Sequence, residues 1–228
     1  MNSDIYSRYL NLLDEIRNCT VNSGRQENSV MLLPVSKTVP ADVISHCADL
    51  GMKLFAENRI QEAESKFVHM KGDFRLHLIG HLQSNKSRTA VQLFDMIHSI
   101  DKLSTAEKLN SEAEKAGKTQ NILVQVNTSG EVSKSGCTPD TAEELCAGIS
   151  ALKNLKLKGL MTIGPLTENK KRIAECFQTL RILKEKISSM LQISLPELSM
   201  GMSDDYEIAI KEGSTIVRIG SAIFGSRN

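Results

Sequence analysis

Eight short apolar runs recur along this chain of 228 residues, each followed by a helix or helical turn. That alternation constrains the fold more than any other feature. The runs fall at 30–36, 53–56, 75–80, 96–100, 122–127, 157–164, 195–201 and 215–220. Most are continuously apolar, the pattern of strands buried on both faces. Helical spacing fills the gaps, at about 41–50, 58–70, 84–93, 103–116, 139–152, 170–191 and 204–212. One more helix, at about 4–18, precedes the first run, with Ile5, Leu10, Leu12, Leu13 and Ile16 at helical spacing. Strands that alternate with helices pair in parallel. Eight such units in this length predict a single α/β domain over 1–228, a (β/α)8 barrel of the TIM type with an extra N-terminal helix. An open doubly wound sheet would want a glycine-rich turn after its first strand. Here that turn is Ser36-Lys37-Thr38-Val39-Pro40. Pro34 predicts that the first strand is short or bulged, because proline brings no N–H to a ladder.

Composition narrows the setting. The chain holds 28 basic and 27 acidic residues, scattered along its length. A nucleic-acid partner would need the basic ones gathered on one face. Lys170-Lys171-Arg172 lies in a helical pattern beside Glu168 and Glu175 and reads as a solvated face. Five widely spaced cysteines without a C-x-x-C pair argue against a disulfide framework and a structural zinc. The N-terminal stretch carries acidic residues and lacks the apolar core of a signal peptide. No apolar run approaches the ~18 residues of a membrane span. A reduced cytoplasmic setting is expected, with no nucleic-acid and no membrane partner.

In such a barrel the loops after the strands form the active face. Lys37 closes the first strand. Lysines that end strands are ordinarily solvated. A half-buried one has its pKa lowered and can attack a carbonyl to form a Schiff base. Barrels often bind phosphate with the loops after strands seven and eight. Ser199-Met200-Gly201-Met202-Ser203 and Arg218-Ile219-Gly220-Ser221 supply glycines and hydroxyls there. Asp204 and Asp205 follow at once and would repel an anion unless they face away. Asp204 and Glu207 have capping-box spacing. His77 and His81 lie four apart, but in a strand-to-turn segment that spacing does not converge, so a metal pair is not expected. Two chemistries fit a lysine and a phosphate cradle in one mouth. One is a Schiff-base aldolase acting on a phosphosugar; the other is a pyridoxal 5′-phosphate protein. In the second, Arg218 would donate to the pyridine nitrogen and keep it unprotonated, which disfavours transaminase-type chemistry.

The stretches PVSKTVP, FAENRIQEA, HLIGHLQSNK, IHSID, VQVNTSGEVSKSG, KGLMTIGP and LSMGMSDDYEIAIKEGSTIVRIGSAIFG resemble the pyridoxal 5′-phosphate homeostasis proteins, the YggS/PROSC family. The likeness runs from about residue 30 to 227. It implies a barrel like the N-terminal domain of alanine racemase. It implies pyridoxal 5′-phosphate as cofactor, held on Lys37, with Asn58 beside it and Arg218 at the pyridine nitrogen. Ser203, Gly220 and Ser221 would meet the phosphate, and Met200 and Gly201 would line the same loop. The implied role is a carrier in vitamin B6 homeostasis without robust catalysis. The alternative is a minimal pyridoxal-phosphate enzyme such as a weak amino-acid racemase. Alanine racemase takes a second base, a tyrosine, from a C-terminal domain. The chain ends just after its eighth strand, so that domain is expected to be absent and the cofactor face open. Tyr206, placed in a helix, is not expected to substitute. Apo-enzymes that use pyridoxal phosphate are the implied recipients, and a monomer is expected. Ala56 stands where the family has glycine and is expected to tighten a turn there.

Overall fold

The alternating sequence pattern becomes an eight-stranded parallel sheet in the computed structural model, which describes residues 2–70 and 72–225. The strands are β1 (Met31–Pro34), β2 (Leu54–Glu57), β3 (Arg75–Leu78), β4 (Met96–Ile100), β5 (Gln120–Gln125), β6 (Leu155–Met161), β7 (Glu197–Ser199) and β8 (Ile216–Ile219). Neighbours follow the order β1-β8-β7-β6-β5-β4-β3-β2. A bridge between Val35 and Ala56 brings the two ends together, with the Ser36 N–H donating to the Ala56 carbonyl at 2.9 Å. This is the TIM-type barrel.

Pro34 explains why that seam is a single bridge. The same register one pleat earlier would need an N–H from residue 34 towards β2, and proline has none. The other edge of β1 is unaffected, because Leu33 and Val35 turn their amides to β8; Val35 N–H bonds the Ile219 carbonyl at 2.9 Å.

Period-two alternation divides the core. Leu33, Val35, Leu54, Ala56 and Ile216 point inside the barrel and form their own cluster. Leu32 and Phe55, one residue out of step, join the larger layer between sheet and helices. Each such large side chain contributes roughly 1.5–3 kcal/mol on burial. Ala56 therefore sits in a strand with a methyl that fills the interior, and no turn is tightened there.

The helices are α1 (Asn2–Asn22), α2 (Ala41–Asp49), α3 (Ile60–Phe67), α4 (Ser87–Leu93), α5 (Leu103–Lys115), α6 (Pro139–Ser150), α7 (Lys170–Leu191), α8 (Tyr206–Lys211) and α9 (Ser221–Phe224). Helix α3 starts two residues later than its periodicity predicts, because Arg59 is extended. Helix α9 has four residues, too few for periodicity to reveal. Two arginines fasten α1. Arg8 Nε donates to the Ile223 carbonyl at 2.7 Å, and Arg25 Nη1 to the Ser214 carbonyl at 2.7 Å. They satisfy carbonyls left over at helix ends and turns; Arg8 holds the first turns of α1 beside α9, and Arg25, just past the end of α1, holds the turn that precedes β8.

Candidate functional site at the barrel mouth

A cavity of about 870 Å³ opens where the strands end. Its wall brings together Lys37, Asn58, Ser203, Arg218, Gly220 and Ser221. Six of the eight residues singled out in the sequence thus share one cavity. Met200 and Gly201 stand behind that wall. Met200 is fully buried in the larger core. Gly201 has φ +98°, and a Cβ there would lie 2.7 Å from the Ala209 Cβ. Its carbonyl accepts the Arg218 backbone N–H at 3.0 Å. Both residues shape the loop after β7 rather than line the cavity.

Lys37 occupies the second position of a turn closed by the Val39 N–H on the Ser36 carbonyl at 3.0 Å. Asn58 follows β2 directly and is backed by Gly80, which approaches its carbonyl closely. Ser203, on the loop after β7, and Ser221, the first residue of α9, place their hydroxyls 3.0 Å apart. Asp204 lies on the cavity wall. Asp205 does not; it is buried, and its Oδ1 accepts the Met202 N–H at 2.6 Å. Burial pushes the Asp205 carboxyl up, and that hydrogen bond and the Arg218 charge oppose the rise. Helix α8 begins at Tyr206, so Asp204 and Glu207 form no capping box; Asp205 precedes the first turn. The Tyr206 hydroxyl donates to Glu15 Oε2 at 3.1 Å, on the α1 side.

Arg218 is 4% exposed and projects into the barrel interior. Nη1 donates to Ser199 Oγ and Nη2 to the Thr162 carbonyl, both at 2.9 Å. Five N–H groups belong to a guanidinium. Two are used here, and the side chain borders the cavity. No carboxylate among the described residues lies within ion-pairing distance of it. Burial lowers its pKa to about 10, with the Asp205 charge acting in the other direction. The cavity wall thus carries a desolvated cation with donors to spare.

Behind Arg218, His77 and His98 line their strands with local hydrogen bonds, as their place in apolar runs suggests, and they join Ser199 in one chain. Ser199 Oγ is 2.9 Å from His98 Nδ1, and His98 Nε2 is 3.0 Å from His77 Nδ1. An arginine can only donate, so the Ser199 hydroxyl accepts from Arg218; towards His98 Nδ1 it can donate its hydrogen or accept through its second lone pair. A neutral His98 donates on one side and accepts on the other, so its tautomer and that of His77 are set together. Burial lowers the pKa of His77 to about 3, and burial with the His77 and Arg218 charges lowers that of His98 well below its ordinary value. Both rings are neutral in the fold. An unfolded chain takes up their protons below pH 6.5, so this contribution is present above that pH and fades as pH falls towards 3. His77 alone is expected to lose about 2–3 kcal/mol of stability between its ordinary pKa and about pH 4.5. Urea unfolding across that window measures it. A His77→Gln variant should show a shallower slope.

Arg8 and Asp4, 3.8 Å apart, also reach the cavity wall. Their i,i+4 spacing reads as a solvated helix pair, and no signal in the sequence shows that α1 covers the mouth. His81 parts from His77 and lies 3.8 Å from Asp101.

An amine at the end of β1, a buried donor-only cation and a hydroxyl pair around one cavity define a barrel suited to a carbonyl compound that also carries an anion. Residues 17–228 match the family model described as alanine racemase, N-terminal domain. The chain belongs to the family of pyridoxal phosphate homeostasis proteins. One such protein, from Aquifex aeolicus (strain VF5), is 40% identical over 96% of this chain and 97% of its own length. Another, from Vibrio alginolyticus, is 41% identical over 99% of both. The solved structure of PipY from Synechococcus elongatus PCC7942 with PLP bound superposes with a TM-score of 0.84 at 33% identity, over 97% of this chain and all of that one.

Proposed function

We propose that this chain binds pyridoxal 5′-phosphate as a Schiff base on Lys37 and acts as its carrier in vitamin B6 homeostasis, without robust catalysis. The observation that carries the reading is Arg218: a buried cation with donors left over, on the wall of the cavity that holds Lys37. The names of the relatives and the PipY complex support it. The cofactor supplies an aldehyde and a phosphate. Lys37 Nζ forms a C=N bond to the aldehyde carbon, and the carbonyl oxygen leaves as water with the two amine hydrogens. Arg218 donates to the pyridine nitrogen. Ser203, Ser221 and the Gly220 backbone receive the phosphate, and Met200 and Gly201 hold that loop in place from behind. Asn58 packs beside the ring.

Racemisation needs a base on each face of the substrate carbon. Lys37 supplies one. Tyr206, bonded to Glu15, is not the other; the lining carries the carboxylates Asp4, Asp42 and Asp204 and, among the described residues, no histidine, cysteine or tyrosine.

The test is the visible absorbance of the wild type and Lys37→Ala with added pyridoxal phosphate, followed by borohydride. The wild type is expected to show a Schiff-base band that borohydride removes, and Lys37→Ala to show none. A band of equal size in both would overturn the assignment. Amino-acid turnover that disappears in Lys37→Ala would overturn the non-catalytic part and favour the minimal enzyme.

A further inference from the structure

The turn that carries Lys37 contains an unexpected residue. Ser36 to Val39 closes with an i to i+3 hydrogen bond, and its third residue has φ +65°. Turns of that type place glycine or asparagine there. Here it is Thr38, β-branched and strained at a positive φ. Such strain costs on the order of 1–3 kcal/mol and persists only where its surroundings impose it.

The surroundings are an ionic cluster under the turn. The Thr38 N–H donates to Glu62 Oε1, in the first turn of α3. Lys66, one helical turn on, spends its three N–H groups on Glu62 Oε1 at 2.6 Å, Glu57 Oε1 at 3.0 Å and the Ser36 carbonyl at 2.9 Å. The Ser36 hydroxyl donates to the same Glu57 oxygen at 2.7 Å. The Lys66 side chain is 9% exposed and that of Glu57 is fully buried. Burial pushes the Glu57 carboxyl up, against Ser36 and Lys66. Burial also raises Glu62, but the Lys66 and Thr38 hydrogen bonds and the Lys66 charge outweigh it and hold that carboxyl below its ordinary value.

A buried ion cluster is a poor way to gain stability, since desolvation offsets most of its attraction. This one grips both residues that flank Lys37, Ser36 through its carbonyl and hydroxyl and Thr38 through its N–H. Their backbone angles set the direction in which the Lys37 side chain leaves the chain. A flexible four-carbon stem reaches a fixed carbonyl carbon efficiently only if its base is aimed. We propose that Lys66 is a positioning residue for Lys37: by bridging Glu57, Glu62 and the Ser36 carbonyl, it locks the strained turn that presents the Lys37 amine to the cavity. This rests on the Schiff-base reading above.

The test compares wild type, Lys66→Met and Lys66→Met/Thr38→Gly, each loaded with pyridoxal phosphate and diluted into a trap for free cofactor. Circular dichroism and thermal midpoints of the cofactor-free proteins report folding separately. Lys66→Met is expected to release cofactor at least tenfold faster than wild type. The added Thr38→Gly should recover most of that loss, because glycine adopts the turn without strain. Glycine at this φ also relieves strain and raises stability, so the recovery counts only where it exceeds what the shift in thermal midpoint accounts for. If Lys66→Met does not fold, Glu62→Ala takes its place with the same expectation and the same rescue. Wild-type release from the folded variant, or no recovery beyond that shift on adding Thr38→Gly, overturns the inference. If the wild type itself forms no Schiff base on Lys37, the functional reading falls first.

Discussion

Gly80→Ala is expected to lower stability by about 3 kcal/mol or more. Gly80 has no unusual φ; the problem is space. A Cβ there would lie 1.9 Å from the Asn58 carbonyl oxygen, 2.8 Å from its carbon and 3.0 Å from its Cα. These are backbone atoms at the end of β2 and cannot rotate away. The Ser99 hydroxyl also holds the Gly80 carbonyl at 2.6 Å, so residue 80 cannot shift freely. For a chain of this size the loss corresponds to a fall of about 6–12 °C in Tm. Calorimetry measures it. The same displacement moves Asn58, so a spectrophotometric titration with pyridoxal phosphate should also weaken. A Tm within about 2 °C of wild type would show that the two loops part more easily than their packing implies.

Arg218→Met should separate stability from binding. Methionine keeps much of the length and loses every donor. The Thr162 carbonyl then lacks the Arg218 donor, at a cost of roughly 1–3 kcal/mol for an orphaned acceptor, and the Ser199 hydroxyl keeps only His98. Removing a buried charge returns part of that. The Tm is therefore expected to fall modestly. Cofactor affinity should fall by about ten- to a hundredfold, the worth of one hydrogen bond from a charged donor. With Arg218 gone, the Ser199 hydroxyl loses one partner and a buried charge leaves the neighbourhood of His98, so the tautomer balance of His98 and His77 is free to change. Imidazole proton signals should then change in the variant. Unchanged affinity alongside a lowered Tm would mean that Arg218 only fills the barrel.

Why the barrel could be read at all is visible in particular residues. Leu32, Leu33 and Val35 face opposite sides of β1, yet all are apolar, because a strand inside a barrel is covered on both faces. Such runs mark strand ends sharply, and that places Lys37 and Arg218 at the mouth without further information. The same logic fails for Met200 and Gly201. Residues that end a strand alternate in direction, and a loop motif does not say which of its members face the cavity.

Other features lay beyond local pattern. The approach of α1 to the mouth depends on Arg8 meeting a carbonyl of α9, a helix too short to leave a periodic trace. Glu62 and Lys66 have the spacing of an ordinary solvated pair on a helix. Only the fold reveals that the loop after β1 lies across them. The positive φ of Thr38 is invisible for a related reason, since sequence rules expect glycine or asparagine where the backbone turns left-handed. Ser199, His98 and His77 come from three different strands and meet only once the barrel is built.

The most direct measurement fixes the cofactor covalently and asks where it sits. Wild-type protein loaded with pyridoxal phosphate is reduced with borohydride, digested and mapped by mass spectrometry. The expected result is one dominant modified peptide, carrying the reduced adduct on Lys37, with wild-type stoichiometry near one per chain. An adduct spread over several surface lysines, or concentrated on a lysine other than Lys37, would contradict the account at its anchor.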